Sequence, residues 1–147
     1  MLKGIDRRLT AELLHVLMQM GHGDDIVVCD INHPAVTIAR HTTHGRLVDM
    51  AGCDIPAAAE AILTLMPLDD FVDDPAICMQ VVGNADKREP IMDEFEKIVK
   101  KHEPKMAITT LERFAFYKRA NAGYAIVQTG ERRLYGNIVL KKGVIRP

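Results

Sequence analysis

Short β-branched runs alternate with helix-forming segments along the chain, and this alternation limits the possible folds more than any other feature of the sequence. Strands are predicted at residues 26–29, 47–50, 77–82, 106–110, 124–129 and 137–140. Helices are predicted at residues 9–20, 54–65, 90–101 and 112–122, with an irregular stretch at 31–45. Strands that alternate with helices form a mostly parallel sheet covered on both faces. The sequence therefore predicts an α/β fold with three layers, α/β/α, around a mixed sheet in which the last pair of strands is the antiparallel one.

The length of the chain favours a single domain. Its 147 residues match the usual size of one domain, and a composition of 48% apolar and 27% charged residues is typical of a compact globular chain. We therefore expect one domain over residues 1–147. A domain of this size has little spare mass to enclose a deep pocket, so a small-molecule site is expected near a contact between subunits.

The charge of the chain is nearly balanced overall but is unevenly distributed. The net charge of −1 gives no reason to expect nucleic acid or an anionic membrane as a partner. Residues 54–103 hold twelve acidic and five basic side chains, a net charge of −7, whereas residues 113–147 hold eight basic and one acidic, a net charge of +7. The two segments are either solvated faces of one monomer or complementary faces of neighbouring subunits in a ring.

The cysteines and the N-terminal sequence favour a reducing compartment. Cys29, Cys53 and Cys78 are odd in number and lack CxxC spacing, so they are interpreted as buried, inert thiols. The first ten residues lack the apolar core of a signal peptide, and no apolar run reaches 18 residues. We therefore expect a cytoplasmic protein that does not span a membrane.

One histidine and one aspartate are candidates for acid/base chemistry. His22 lies between Gly21 and Gly23, whose backbones are permissive enough to let other groups approach the imidazole ring. Asp30 directly follows the first predicted strand. An imidazole that titrates near neutrality and a carboxylate that orients it form an acid/base pair if the two meet in space. The alternative interpretation of the glycine-flanked histidine is an ordinary turn.

Three further histidines could suggest a metal site. His41 and His44 are three residues apart, and His33 lies upstream of them. The segment is a poor helix, however, and neither a CxxC nor an HExxH pattern is present. These histidines are therefore interpreted as polar loop residues, and no metal is expected.

The basic and aromatic stretch at residues 113–119 superficially resembles an RNA-binding strand. It lacks the glycine that follows the first basic residue in such strands. Phe114 and Tyr117 are three residues apart, as on one face of a helix, so core packing is the preferred interpretation and nucleic-acid binding is not expected.

The loop before the last predicted strand carries two candidate sugar ligands. Tyr135 and Asn137 are alternate residues beside two turn glycines, so their side chains are expected to point the same way. A phenol and an amide can hydrogen-bond sugar hydroxyls, and the tyrosine ring adds an apolar surface. A long hairpin loop without a ligand is the alternative.

Taken together, the motifs resemble the sugar-ring mutarotases, the family that includes L-fucose mutarotase and D-ribose pyranase. The resemblance runs nearly end to end through an ordered set: Met1-Leu2-Lys3, Met20-Gly21-His22-Gly23-Asp24, Asp30-Ile31-Asn32-His33-Pro34-Ala35, Thr129-Gly130-Glu131, Tyr135-Gly136-Asn137 and Leu140-Lys141-Lys142-Gly143-Val144. The stretch Arg113-Phe114-Ala115-Phe116-Tyr117 resembles the L-fucose branch, because the ribose branch usually has a histidine near the position of Arg113.

This resemblance implies a reaction and a set of site residues. It implies acid/base-assisted interconversion of the α and β anomers of a monosaccharide, L-fucose first among them, without a metal or organic cofactor. His22 matches the proton-transfer histidine, and Asp30 matches its partner and a sugar ligand. The positions expected to hold the sugar are Arg113, Tyr135 and Asn137, with Tyr117 as a further sugar ligand.

The resemblance also implies a ring-like homo-oligomer, commonly a decamer, with the sugar sites near subunit contacts. One departure concerns the substrate, because His33 stands where many fucose-type members carry an aromatic residue before Pro-Ala. Two alternatives stay open. One is a D-ribose pyranase-like interconversion of pyranose and furanose rings, and the other is a non-catalytic sugar-binding subunit that accompanies a transporter or kinase.

Overall fold

The computed structural model describes residues 2–146, so Met1, the first residue of the family-like pattern, and Pro147 lie outside it. The described strands are β1 (Asp25–Cys29), β2 (Leu47–Met50), β3 (Ala76–Met79), β4 (Thr109–Leu111), β5 (Ala125–Thr129) and β6 (Asn137–Lys141). The described helices are α1 (Ala11–Gln19), α2 (Ala35–Ala39), α3 (Ile55–Leu63), α4 (Pro90–His102) and α5 (Arg113–Asn121).

The six strands form one mixed sheet in the order β2-β5-β1-β6-β3-β4. The pairs β1–β5, β2–β5 and β3–β4 are parallel, whereas β6 is antiparallel to both β1 and β3. The last strand is therefore antiparallel to its neighbours. A hairpin between β5 and β6 does not form, because β1 lies between them. Strands β1, β5 and β6 are almost entirely buried, which is typical of strands at the centre of a sheet.

Helices cover both faces of the sheet, which confirms the three-layer prediction. Alternate residues of β1 belong to different cores because successive strand side chains point to opposite faces. Val28 packs in one core with residues of α1, α3 and α4. Val27 packs in the other core with residues of α2 and α5, including the fully buried Phe116.

The helix starts follow local signals in the sequence, whereas α2, β3 and β4 differ from the prediction by more than two residues. Thr10 Oγ1 accepts a hydrogen bond from the Leu13 amide at 3.1 Å, and Asp54 Oδ1 accepts one from Ala57 at 2.8 Å, as N-caps do. Helix α2 lies inside the stretch predicted as irregular. Strand β3 ends at Met79 because a turn follows in which Gly83 has φ of 78°. Strand β4 begins only at Thr109.

Two interpretations of buried side chains need correction. Phe114 is not a core residue: it is 65% exposed, and the Arg113 guanidinium lies 4.7 Å from the centroid of its ring. Cys29 and Cys78 are buried, and burial raises the pKa of each thiol above its usual range, as expected for inert cysteines. Cys53 is only half-buried, so the prediction was wrong for that residue.

The acidic and basic segments contact each other within one chain. Arg119 pairs with Asp74 at 2.7 Å, and Arg133 pairs with Glu94 at 2.8 Å. A third ion pair joins Arg146 to Asp70 at 2.6 Å. These pairs favour the interpretation of the two segments as faces of a single monomer. Across residues 2–146, no helix combines the length and the apolar character needed to cross a membrane.

Candidate functional site

A cleft of about 170 Å³ lies where β1 and β3 end and β6 begins. Ligands bind beyond the carboxyl ends of the strands in open α/β sheets, so its position is the expected one. The cleft contains five of the six predicted site residues, which are Asp30, Arg113, Tyr117, Tyr135 and Asn137. His33 also lines it. His22 does not.

Asp30 and Asn137 form a fixed polar pair at the base of the cleft. Asp30 is 4% exposed, and its Oδ2 accepts a hydrogen bond from Asn137 Nδ2 at 2.9 Å. Its Oδ1 accepts another from the Asn32 amide at 2.8 Å. Burial raises the pKa of Asp30 although these hydrogen bonds act in the opposite direction. The carboxyl group is thus held in one orientation, with acceptor capacity left for a hydroxyl group.

Tyr135 reaches the cleft through an unusual backbone conformation. Its φ of 61° lies in the left-handed region, which non-glycine residues seldom adopt, and its Oη accepts a hydrogen bond from the Val82 amide at 3.1 Å. Gly136 follows, and a Cβ there would lie 2.9 Å from Glu131 Cγ. Backbone strain of this kind persists where the surroundings fix the conformation, and functional sites often hold it.

Glu131 fixes the loop that carries Tyr135. Its Oε1 accepts hydrogen bonds from the amides of Arg132 and Arg133, each at 2.9 Å. The Arg133 guanidinium adds bonds of 3.0 and 2.8 Å to the two carboxylate oxygens. These hydrogen bonds, led by the Arg133 side chain, lower the pKa of Glu131 to about 2.

Replacing Glu131 with glutamine should therefore destabilise the protein at neutral pH and destabilise it less than half as much at pH 3. A carboxyl group whose pKa is lower in the folded than in the unfolded chain stabilises the fold above its unfolded pKa, and this stability is lost as pH falls toward 2. At 1.36 kcal/mol per pH unit, the fall from the usual 4.5 to about 2 corresponds to an expected loss of about 3 kcal/mol at pH 7. Urea unfolding of wild type and Glu131→Gln at pH 7 and pH 3 measures it.

Glu94 provides the matched control for this prediction. It also pairs with Arg133, but its side chain is 41% exposed, so Glu94→Gln should cost no more than about 1 kcal/mol at either pH. An equal loss for both variants, or a Glu131→Gln loss that persists unchanged at pH 3, would contradict the assignment.

Helix α5 supplies Arg113 and Tyr117 from its first two turns. Glu112 caps the helix by accepting hydrogen bonds from the amides of Phe114 and Ala115 at 2.8 and 3.1 Å. Arg119 anchors the other end of the helix to Asp25 at 2.8 Å. Arg113 Nε is buried and has no hydrogen-bond partner within residues 2–146. Arg113 lines the cleft, so its guanidinium is a hydrogen-bond donor beside any ligand bound there.

His33 is a buried residue of the cleft and not a solvent-facing loop residue. Its ring meets those of Tyr117 and Phe116 edge-on, with centroids 5.2 and 6.0 Å apart. Burial lowers the pKa of His33 to about 4, so the imidazole is neutral at physiological pH. His41 is exposed, and His44 contacts Glu12 at 3.3 Å. Across the described part of the chain, no three His, Cys, Asp or Glu side chains are grouped as metal ligands.

His22 lies at the other end of β1 from the cleft. The histidine precedes this strand and Asp30 follows it, so at about 3.3 Å per residue the two are on the order of 15 Å apart or more. Within one chain, the expected His22–Asp30 pair is therefore not formed. His22 Nε2 instead lies 3.0 Å from Oδ1 of Asp69, a residue that sequence reasoning missed. The two residues are 47 positions apart, so no local sequence pattern joins them.

The surroundings of His22 and the rim of the cleft both carry exposed side chains. The His22 side chain is 47% exposed, and Phe71 beside it is 64% exposed. At the rim of the cleft, Val82 and Leu134 are 57% and 68% exposed. Exposed apolar residues grouped beside polar ones are typical of a surface that another molecule covers. One chain can hold a small polar ligand and can present an imidazole, but it does not bring the two together.

Comparison with known proteins adds relatives over nearly the full length. The chain matches the model of the RbsD / FucU transport protein family over residues 3–145. It is 42% identical to the fucose mutarotase of Homo sapiens over 147 residues, which cover 98% of the chain and 94% of that protein. Identity to the L-fucose mutarotase of Glaesserella parasuis is also 42%, over 98% of the chain and 96% of the relative. A solved structure of the fucose mutarotase from Streptococcus pneumoniae in complex with L-fucose is 40% identical, with a TM-score of 0.88 and coverage of 99% and 100%.

Proposed function

Because the chain belongs to the RbsD / FucU transport protein family, we propose that it is a mutarotase that interconverts the α and β anomers of L-fucose. The resemblance read from the sequence motifs is confirmed by this membership. Curated relatives that are 42% identical to the chain are named fucose mutarotases. The proposed enzyme is an isomerase, and its substrate is a monosaccharide.

The observation that carries the proposal is the set of hydroxyl-binding groups gathered in one cleft. Asp30 and Asn137 contact each other there, although they are 107 positions apart in the sequence. Arg113, Tyr117 and Tyr135 approach the same space from helix α5 and from the loop before β6. A carboxylate, an amide, a guanidinium and two phenols can bind several hydroxyls of a neutral sugar at once.

The proposed reaction needs only proton transfers. A proton leaves the anomeric hydroxyl and another is delivered to the ring oxygen, so the C1–O5 bond breaks and the open-chain aldehyde forms. Rotation about C1–C2 and the reverse transfers close the ring on the other face. Nothing is oxidised, reduced or hydrolysed. In this proposal His22 moves the proton, while Asp30 and its neighbours hold the remaining hydroxyls during ring opening.

We further propose that two copies of the chain complete each site. Ligand pockets usually measure about 300–1,000 Å³, whereas the cleft holds about 170 Å³ and lacks His22. A neighbouring copy that presents His22 over the cleft would enclose the sugar and bring the imidazole to Asp30. The proposed assembly is a ring-like homo-oligomer, with a decamer as the expected size. The three free thiols support the cytoplasm as its compartment.

Exchange NMR on sugar anomers tests the proposal directly. Saturation of the α-anomeric proton of L-fucose should reduce the β-anomeric signal in the presence of the protein, at a rate well above that in buffer. If no sugar in a panel with L-fucose and D-ribose exchanges faster than in buffer, the mutarotase proposal fails. Pyranose-to-furanose exchange confined to D-ribose would favour the pyranase alternative. Shifted sugar resonances without faster exchange would favour a non-catalytic binding subunit.

A further inference from the structure

We propose that Asp69 is the positioning residue of His22, and that the proton in ring opening moves through His22 Nδ1. The inference rests on the proposed function for the reaction itself, whereas the orientation of the ring can be tested without it. In the structure, His22 Nε2 and Asp69 Oδ1 lie 3.0 Å apart.

Asp69 is held as a buried acceptor. Its residue is 2% exposed, and the same Oδ1 that faces His22 also accepts a hydrogen bond from the Phe71 amide at 3.1 Å. The Phe71 ring lies against the imidazole, with centroids 5.4 Å apart. A buried carboxylate with a backbone donor keeps one orientation, and an aromatic ring beside the imidazole restricts its rotation.

One backbone segment sets the distance between the two residues. The turn that carries His22 is joined to it by the Gly23 amide, which donates to the Lys142 carbonyl at 2.8 Å. On the other side, the Asp69 amide donates to the Lys141 carbonyl at 3.1 Å. The end of β6 therefore holds the histidine turn and the aspartate in one register. A side chain at Gly143 would overlap the Leu68 carbonyl, which explains the glycine at this contact.

The charges around the pair keep Asp69 ionised. Burial raises the pKa of Asp69, but the hydrogen bonds from the Phe71 amide and His22 and the charge of Lys141 together lower it by more. The net shift of the Asp69 pKa is therefore downward. Lys141 Nζ lies 2.8 Å from the Gly23 carbonyl and 2.9 Å from Asp25. Asp24 accepts a hydrogen bond from the Gly21 amide at 2.7 Å. Lys142 bonds to the Leu17 and Met20 carbonyls and leaves His22 uncontacted.

The tautomer of His22 follows from this arrangement. An ionised carboxylate only accepts hydrogen bonds, so the nitrogen that faces Asp69 must carry a hydrogen. In neutral His22 this places the hydrogen on Nε2 and leaves Nδ1 as the free base. A carboxylate that fixes the tautomer of a general base is worth orders of magnitude in known triads, where the amide substitution leaves the geometry intact but favours the wrong tautomer.

The experiment compares Asp69→Asn with Asp70→Asn. Both remove one negative charge from adjacent positions, but Asp70 pairs with Arg146 and is not in contact with His22. We expect Asp69→Asn to lower the exchange rate at saturating L-fucose about 10- to 100-fold with little change in KM, and Asp69→Glu to recover part of it. Asp70→Asn should stay within about twofold of wild type.

A second measurement reports the ring itself. Long-range ¹H–¹⁵N spectra of the ¹⁵N-histidine-labelled protein, with His22 assigned from its loss in His22→Gln, should show the Nε2–H tautomer in wild type and in Asp70→Asn. In Asp69→Asn this preference should be lost. An unchanged tautomer, or equal rates for the two asparagine variants, overturns the assignment of Asp69. If wild type accelerates no sugar exchange, the proposed function fails, and the spectra still decide whether Asp69 sets the tautomer.

Discussion

Replacing His22 with glutamine should remove nearly all acceleration of L-fucose anomer exchange while leaving the fold and the sugar cleft intact. The imidazole is the group proposed to move the proton, and general acid/base assistance contributes about 10²- to 10⁴-fold in enzymes. Glutamine keeps a polar side chain of similar length but cannot shuttle a proton near neutral pH. Since His22 is half-exposed and lies outside both cores, the free energy of unfolding should change little.

The rate measurement needs a binding measurement beside it. Exchange NMR gives the rate, and shifts of the sugar resonances give the affinity, which should persist in part because the hydroxyl ligands of the cleft are unchanged. His41→Gln is the matched control, because His41 is an exposed histidine near the short helix α2 and has no proposed role. An exchange rate for His22→Gln within threefold of wild type would exclude His22 as the proton carrier, whereas an equal loss in both variants would indicate a general effect of the substitution.

Local sequence signals predicted which segments form helices and strands better than they predicted which strands pair with each other in the sheet. The side chains of Thr10 and Asp54 cap their helices by accepting hydrogen bonds from amides three residues further along the chain. Both partners of each bond therefore lie within one short stretch of sequence. The insertion of β6 between β1 and β3 depends on pairings across more than 50 residues. Such pairings are set by which buried strand fits beside which, and a single sequence does not encode this locally.

Some residues of the candidate site could likewise be predicted from the sequence, and others could not. Asp30 directly follows β1, so the rule that ligands gather at the carboxyl ends of strands pointed to it. Tyr135 and Asn137, at the start of β6, were predicted from the loop pattern and the family resemblance, and Arg113 and Tyr117 from the resemblance alone. Asp69 could not be predicted, since its contact with His22 depends on two separate backbone connections to the end of β6. The separation of His22 from Asp30 was already implicit, because a predicted strand at 26–29 lies between them and a strand holds its two ends apart.

Mixing two inactive variants should restore activity if each site is shared between copies. One variant is His22→Gln, which retains the cleft. The other is the double variant Asp30→Asn with Arg113→Ala, which retains His22. Each variant alone should be inactive. In a 1:1 co-assembled oligomer, a working site needs the histidine of the second variant beside the cleft of the first, and random assembly provides this at about a quarter of the contacts.

Co-expression of the two variants with different affinity tags, followed by tandem purification, isolates the mixed oligomers for exchange NMR. Co-expression of His22→Gln with His22→Ala is the matched control, because both variants lack the same half of the site and should stay inactive in every combination. Recovery to about a quarter of the wild-type rate per chain supports a site built from two copies. Mixed oligomers that form but stay inactive would exclude it. The 15 Å or so between His22 and Asp30 along β1 would then have to be closed within one chain, which the pairing of β1 with β5 and β6 on both sides opposes.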